Sequence, residues 1–311
     1  MKNQFLFVVL FLMCILNLSG EIKDHLKSAD NKSNIHQIPN VDFIYMINLD
    51  QRPEKFAKSL NQLMPYGIYP YRFSAVNGWE LNLQEINDVG VRFESWMPRD
   101  LMATTYLLDG QGEPVHEIMH DSKRAYFCHT MAKGAIGICL SHLSVLQDAY
   151  DAGYATIWVM EDDIYVCRNP NEISDAIARL DRLKGENEWD ILFTDRDIHA
   201  RNGEYVVCMS YARRPNFTPD DYARAGVKED IGLGLRAIGA RYGAHSMIVR
   251  RSGIKKILDF IYKYSIYLPY DMEWQNIPDL KMFTVLEDVV TNLNDALSDN
   301  GHPYYKLKNQ L

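Results

Sequence analysis

The chain has 311 residues, of which 47% are hydrophobic and 24% are charged, a composition typical of a globular protein with a substantial core. Its net charge is −8 and it contains no long run of Lys and Arg, which excludes nucleic acid as an expected partner. An anionic ligand would therefore need local arginines or a bound metal.

The N-terminus differs from the rest of the chain. Lys2 precedes an uninterrupted apolar run over residues 5–16, and a short polar stretch follows. This layout is typical of a secretory signal peptide, and the run is short for a membrane span of about 20 residues. Two interpretations of residues 1–20 stay open: a signal peptide for the secretory pathway, or a signal anchor that associates the chain with a membrane. Residues 21–40 are polar and predict a linker, and residues 41–311 predict a single domain.

The cysteines do not follow a zinc-binding pattern. Cys14 belongs to the apolar N-terminal run. Cys139 lies in a helical apolar pattern and is expected to be a buried thiol. The sequence leaves open whether the remaining cysteines form disulfides after export, namely Cys128, Cys167 and Cys208.

The domain begins with a strand, a helix and a second strand. The apolar run over 43–49 predicts a strand covered on both faces. Pro53 suits the first turn of a helix, whose apolar face consists of Phe56, Leu60, Leu63 and Met64. Residues 71–76 predict the second strand, which ends at the turn pair Asn77-Gly78.

Residues 80–130 have no clear hydrophobic period. We expect a long irregular insertion, and such segments in compact domains often contact substrate. His116 and His120 are four residues apart, a spacing that could bind zinc on a helix. No helix is evident here, so they are expected to face solvent.

Helices and strands alternate over the rest of the domain. The pattern predicts helices over 134–153, after an Asn171 cap and after a cap near Ser252, and strands over 155–160, 189–193, 205–209, 244–249 and 282–286. This alternation predicts an α/β fold with a mostly parallel central sheet flanked by helices.

Acidic residues follow several of these strands. Glu161, Asp162 and Asp163 come directly after the strand at 155–160, and acids also follow other strands, namely Asp50, Asp195 with Asp197, and Glu287 with Asp288. Ligands of such sheets bind beyond the carboxyl ends of the strands, and carboxylate oxygens suit a hard divalent cation with phosphate ligands. The alternative is a solvated acidic turn.

Four ordered motifs resemble those of the family 25 glycosyltransferases, which include bacterial lipooligosaccharide and procollagen galactosyltransferases. They are Ile47-Asn-Leu-Asp-Gln-Arg-Pro53, Ala75-Val-Asn-Gly78, Gly134-Ala-Ile-Gly137 with Leu140-Ser-His142, and Glu161-Asp-Asp163. Weaker matches lie at Tyr242-Gly-Ala-His245 and Leu268-Pro-Tyr-Asp271, so the resemblance covers roughly residues 43–275. The family cysteine is displaced by one position to Cys139, and the segments 80–130 and 213–241 depart from the pattern. With this resemblance, 80–130 is expected to be an insertion on the acceptor side of the domain.

The resemblance implies a GT-A type fold that binds a nucleotide-diphospho-sugar through a divalent cation, usually Mn²⁺. It implies inverting transfer of a hexose, galactose at the family level, from a UDP-sugar to a hydroxyl of a glycan or of a hydroxylated protein, as in lipopolysaccharide biosynthesis. Asp163 and Glu161 are the expected metal ligands, with His245 as a third. In an extended stretch Asp162 points the other way and is expected to face the ribose or a water.

The remaining site residues follow from the same motifs. Asn48 and Arg52 are expected to hold the base or ribose, and Asn77 to contact the nucleotide through a turn. Asp271 is the expected catalytic base that deprotonates the acceptor hydroxyl. Glu273 and Asp195 are its rivals, and a helix N-cap is its structural alternative.

His142 lies on a helix whose other face is core, so a structural hydrogen bond to a nearby loop is expected. Two other functions stay open for the whole chain. One is a catalytically inactive glycan-binding relative, and the other is a metal-dependent phosphohydrolase that uses the same acids.

Overall fold

The computed structural model describes residues 21–200, 202–208, 211–294 and 296–308. The expectation of a signal peptide or anchor concerns residues 1–20, which lie outside the described residues. Within these ranges, no helix has both the length and the apolar character that a membrane crossing requires.

Seven α-helices lie in the described ranges: α1 (Pro53–Leu63), α2 (Leu83–Val89), α3 (Lys133–Asp151), α4 (Ile173–Lys184), α5 (Arg251–Tyr264), α6 (Tyr270–Glu273) and α7 (Tyr305–Lys308). The described strands, in chain order, are β1 (Phe43–Asn48), β2 (Tyr71–Ser74), β3 (Val91–Arg92), β4 (Met102–Tyr106), β5 (Pro114–Ile118), β6 (Ala125–Cys128), β7 (Thr156–Glu161), β8 (Ile164–Val166), β9 (Ile191–Phe193), β10 (Ile198–His199), β11 (Tyr205–Val206), β12 (Lys228–Gly232), β13 (Leu235–Ile238), β14 (Ser246–Arg250), β15 (Met282–Val285) and β16 (Val290–Asn292).

The central sheet has eight strands in the order β12-β13-β15-β9-β14-β7-β1-β2. The pairs β1–β2, β1–β7 and β9–β15 are parallel, whereas β14 is antiparallel to both of its neighbours. The α/β fold is confirmed, but the parallel part of the sheet is less extensive than predicted. Apolar periodicity identifies a strand without giving its direction, and β14 returns from a long excursion in the opposite sense.

Two apolar cores lie on opposite faces of the sheet. Along β1, Phe43, Tyr45 and Ile47 belong to the core that includes α3 and α5, whereas Ile44 and Met46 belong to the core that includes α4. This alternation is the two-faced burial that the apolar run predicted. Each fully buried Ile or Met contributes about 1.5–3 kcal/mol, so β1 and β7 are held firmly and their carboxyl ends have fixed positions.

Residues 80–130 are more ordered than predicted. They form α2, which begins with a capping box of Asn82 and Glu85, and an antiparallel sheet in the order β3-β6-β4-β5. The strands have two to five residues each, too short to give a visible period. His116 lies on β5 and bonds Thr104, and His120 is exposed, so neither meets the helical spacing of a zinc site.

Residues 21–40, predicted as a polar linker, lie against the domain. Ile22 and Ile38 are buried, and Ile35 forms a β-bridge with Tyr69. Lys27 donates from Nζ to the main-chain oxygen of Ala75 at 2.7 Å. The polar composition of this segment gave no indication that its few apolar side chains would be buried.

Several boundaries differ from prediction. Asn169, not Asn171, caps the turn before α4, and α5 begins at Arg251 while Ser252 bonds Asp190. The strand expected over 205–209 is the short β11, paired with β10. The four cysteines within the described residues are free thiols, and Cys139 is buried as predicted.

Candidate functional site

A cleft opens beyond the carboxyl ends of β1 and β7, which are parallel neighbours, and its cavity volume is about 100 Å³. Ile47 of β1 lies in register with Glu161 of β7, so the end of one strand faces the end of the other. The cleft is lined by Glu161, Asp162 and Asp163 together with cations and a turn amide, namely Arg52, Lys55 and Asn77. The three acids therefore lie at the end of a strand, as predicted, and they line a cleft there.

Glu161 is held in place by a histidine and by the sheet. His142 of α3 contacts Glu161 Oε1 through Nε2 at 3.0 Å, and the Glu161 amide donates to the His245 oxygen at 2.9 Å. Burial favours the neutral carboxyl, but the hydrogen bond and charge of His142 outweigh it and hold the pKa of Glu161 below its ordinary value. The structural hydrogen bond expected for His142 is therefore made to a residue of the candidate site. The His142 ring also stacks on the Tyr270 ring, with the ring centroids 4.4 Å apart.

Asp162 and Asp163 share a single lysine. Lys55 Nζ lies 3.9 Å from a carboxylate oxygen of each, and Asn48 donates to Asp162 at 2.6 Å. Burial and the charge of Asp163 raise the pKa of Asp162 to about 7, and burial and the charge of Glu161 raise the pKa of Asp163. The cluster therefore carries more negative charge than Lys55 balances.

This excess charge fits a bound cation. No three His, Cys, Asp or Glu side chains in the described part of the chain gather closely enough to enclose a metal by themselves. Mg²⁺-like ions are commonly bound through one or two carboxylates plus phosphate oxygens and water, so an all-protein cage is not required. Hard oxygen donors, and no thiol, line this cleft.

His245, the expected third metal ligand, has one ring nitrogen engaged by a different carboxylate. Its Nε2 contacts Asp195 Oδ2 at 2.5 Å, which commits that nitrogen to a buried carboxylate. His245 reaches the acidic cluster through its main-chain oxygen and through its charge. His245 therefore supports the acidic cluster through its main-chain contact with Glu161.

Asp195 is a fully buried anchor and not a base. Arg241 Nη2 lies 3.0 Å from Asp195 Oδ1, and Thr291 donates to Oδ2 at 2.8 Å. Burial favours protonation, but Arg241 and His245 outweigh it and hold the pKa of Asp195 at about 2. A buried carboxylate whose pKa is lowered in this way is a poor proton acceptor for an incoming hydroxyl.

The three expected nucleotide-binding residues have different positions. Asn48 is 1% exposed, and its amide contacts Asp162, the Arg52 oxygen and Arg72, so it orients Asp162 from beneath the cleft. Arg52 and Asn77 line the cleft directly. Arg52 pairs with Glu54 and Asp299, and Asn77 donates to the Tyr305 hydroxyl at 2.8 Å.

Asp271 lies in the first turn of α6 and is not among the residues that line the cleft, but the charge of Glu161 acts on it. Its carboxylate accepts from the Gly243 amide at 2.6 Å and from the Met272 amide at 3.0 Å. The N-cap of α6 is Pro269, so the capping alternative is wrong. Burial raises the pKa of Asp271, and the charge of Glu161 raises it further.

The other rival base is locked in the core. Glu273 is 1% exposed, pairs with Arg214, and accepts from the amides of Tyr267 and Leu268. Asp271 is only half-buried and is therefore the accessible carboxylate of the three rivals.

Residues 298–300 form a wall of the cleft, which no motif or periodicity predicted. Asp299 pairs with Arg52, and its main-chain oxygen accepts from Trp79 Nε1 at 2.7 Å. A side chain at Gly134 would overlap the main-chain oxygen of Asn300. Gly134, the first glycine of the third motif, was the only hint of this contact. A glycine can indicate that another part of the chain packs closely against it, but it does not say which part.

Comparison with known proteins identifies relatives of one kind. The sequence model described as Glycosyltransferase family 25 (LPS biosynthesis protein) matches residues 41–274. A Glycosyltransferase 25 family member of Aedes aegypti is 28% identical over 204 residues, which cover 63% of this chain and 28% of that protein. One from Drosophila pseudoobscura pseudoobscura is 28% identical over 156 residues, or 50% and 21%.

A human relative has a different name. The protein called Inactive glycosyltransferase 25 family member 3 is 28% identical over 160 residues, which cover 50% of this chain and 22% of that protein. The chain therefore spans less than a third of the length of each of these three relatives.

Proposed function

The chain belongs to glycosyltransferase family 25, and on this premise we propose that it is a metal-dependent inverting transferase with a GT-A type site. It moves a hexose, galactose in the first instance, from a UDP-sugar to a hydroxyl of a glycan or protein acceptor. The observation that carries the proposal is the cleft at the carboxyl ends of β1 and β7, where three acids meet one lysine.

The donor half of the proposal assigns the diphosphate to this cleft. Asp163 and Glu161 would hold Mn²⁺ or another divalent cation, and Glu161 has Oε2 available because His142 occupies Oε1. Bound there, such an ion supplies Lewis-acid stabilisation of the departing diphosphate. Arg52 and Asn77 line the same cleft and offer donors to the nucleotide, while Asn48 fixes the orientation of Asp162.

The acceptor half assigns the base to Asp271. Two main-chain amides fix its carboxylate, and the raised pKa makes it a better proton acceptor than an ordinary aspartate. Inversion requires this carboxylate to take the hydroxyl proton on the face opposite the leaving group. The charge of Glu161 acts on Asp271, so this carboxylate lies within electrostatic reach of the donor cleft.

The proposal is tested by UDP release and sugar transfer from several UDP-sugars with Mn²⁺. Asp163→Asn should abolish turnover, and Asp271→Asn should retain UDP binding while transfer falls by at least a hundredfold. Asp259→Asn is the matched control, since Asp259 is an exposed acid on α5 paired only locally with Lys255. Normal transfer by Asp163→Asn would refute the assignment of Asp163 as a metal ligand. Weakened UDP binding together with normal transfer in Asp271→Asn would refute the assignment of Asp271 as the base.

A catalytically inactive glycan-binding protein is the second candidate, because relatives that match this chain carry names that include the word inactive. Titration of UDP and UDP-galactose, with and without Mn²⁺, separates the two. A protein that binds glycans but no UDP-sugar supports the inactive reading. Release of UMP and hexose 1-phosphate from a UDP-sugar, or of inorganic phosphate from UDP, without any acceptor would instead support the phosphohydrolase.

A further inference from the structure

A second and larger groove, of about 660 Å³, lies beside the candidate donor cleft. Its lining residues come from 111–116, from 129–133 and from 301–306. We refer to it as the side groove. Trp79 lines both the side groove and the donor cleft, and Lys133 and Gly301 of the groove directly adjoin Gly134 and Asn300 of the cleft. The two openings therefore share a wall.

The side groove is basic although the whole chain has a net charge of −8. It is lined by two lysines, three histidines and one acid, namely Lys133, Lys306, His116, His129, His302 and Glu113. Within the described residues neither lysine forms an ion pair, and their Nζ atoms lie over the rings of Tyr106 at 5.5 Å and Tyr305 at 6.0 Å. These positive charges are available to a ligand.

We propose that the side groove binds the acceptor, and that this acceptor is a glycan bearing a carboxylate or phosphate group. The inference rests on the proposed transferase function, because an acceptor must reach the sugar donor in the adjoining cleft. The cavity volume of the groove lies within the 300–1,000 Å³ typical of pockets for small ligands, which suits one or a few sugar rings. A neutral glycan would gain no electrostatic attraction from the two lysines that form no ion pair, whereas an acidic group would be attracted to them.

The charge also argues against a hydroxylysine side chain as acceptor. Such a side chain is itself a cation, and Lys133 and Lys306 would repel it. A hydroxylysine peptide is therefore a useful competing probe.

Direct titration tests the inference without requiring transfer. The probes are p-nitrophenyl glucuronide, p-nitrophenyl glucoside and a hydroxylysine peptide, with the full chain in low-salt buffer. The glucuronide should bind at least tenfold more tightly than the glucoside, and added salt should weaken this preference. The double variant Lys133→Gln, Lys306→Gln should lose most of it and still bind UDP with Mn²⁺.

The matched control is the double variant Lys255→Gln, Lys281→Gln, which removes the same charge from exposed lysines paired with Asp259 and Glu188. It should keep the glucuronide preference. Equal binding of both glycosides, a preference that survives in Lys133→Gln, Lys306→Gln, or tightest binding of the peptide would overturn the inference. A glucuronide preference in a protein that fails to bind UDP would support the groove as an anionic-glycan site and overturn the transferase proposal.

Discussion

Asp195 and Asp197 offer a sharp test of the electrostatics behind the site, because they lie two residues apart and have opposite pKa shifts. Asp195 is fully buried against Arg241 and His245, which hold its pKa at about 2. Burial raises the pKa of Asp197, despite the charges of Arg241 and Lys228. We therefore expect Asp195→Asn to destabilise the protein and Asp197→Asn to leave it nearly unchanged.

The magnitude follows from the structure in two ways. The fall of the Asp195 pKa from 3.8 to about 2 corresponds to about 2 kcal/mol of stability at neutral pH. Removing the charge also leaves Arg241, which is 1% exposed, without its partner, and breaking a buried pair costs about 3–5 kcal/mol. A loss of about 3 kcal/mol is a large part of the about 5–15 kcal/mol that stabilises a typical domain.

Chemical denaturation at pH 7 measures both variants against the wild type. A depressed pKa contributes stability that is present above the unfolded value and is lost as pH falls. The wild type should therefore lose the Asp195 contribution between about pH 3.8 and pH 2, and Asp195→Asn should lack this part of the acid transition. Asp197→Asn retains an oxygen for the Ile198 amide and should lie within about 0.5 kcal/mol of wild type. Equal losses in the two variants would refute the reasoning.

The other predictions concern the two clefts. The transfer rate (kcat/KM) should fall on the acid side with a midpoint above 3.8, because Asp271 must be ionised to act as a base and its pKa is raised; a midpoint at or below 3.8 contradicts this. Gly134→Ala should weaken UDP binding and cost about 1–3 kcal/mol of stability, because its Cβ would overlap the Asn300 oxygen, whereas Gly226→Ala has open space and should be neutral in urea denaturation. UDP with Mn²⁺, at 100 times its Kd, should stabilise the wild type by about 2.7 kcal/mol in a thermal-shift series, and an equal gain in Asp163→Asn would contradict the cation site.

The strands next to the site were predictable because they are buried on both faces. Their continuous apolar runs identified β1 and β7, and the abrupt change to Glu161, Asp162 and Asp163 identified the end of a strand. These signals are local, since burial on both faces imposes the same composition on every position of a strand.

The parts that sequence reasoning missed depend on contacts between distant residues. The amide of Asn48 orients Asp162, and Asp195 captures Nε2 of His245, over separations of 114 and 50 positions. Nothing in the composition around Asn48 or His245 distinguishes a supporting residue from one that touches a ligand. The direction of β14 could not be predicted either, because it too depends on contacts with distant strands.

The position of β15 has a practical consequence for anyone who trims this chain. The family match ends at residue 274, whereas β15 begins at Met282 and lies between β13 and β9 in the central sheet. A recombinant fragment cut at the edge of the match would lose an interior strand and leave the β12–β13 hairpin with no neighbour. The smallest piece that can fold must therefore extend past the region that sequence similarity delimits.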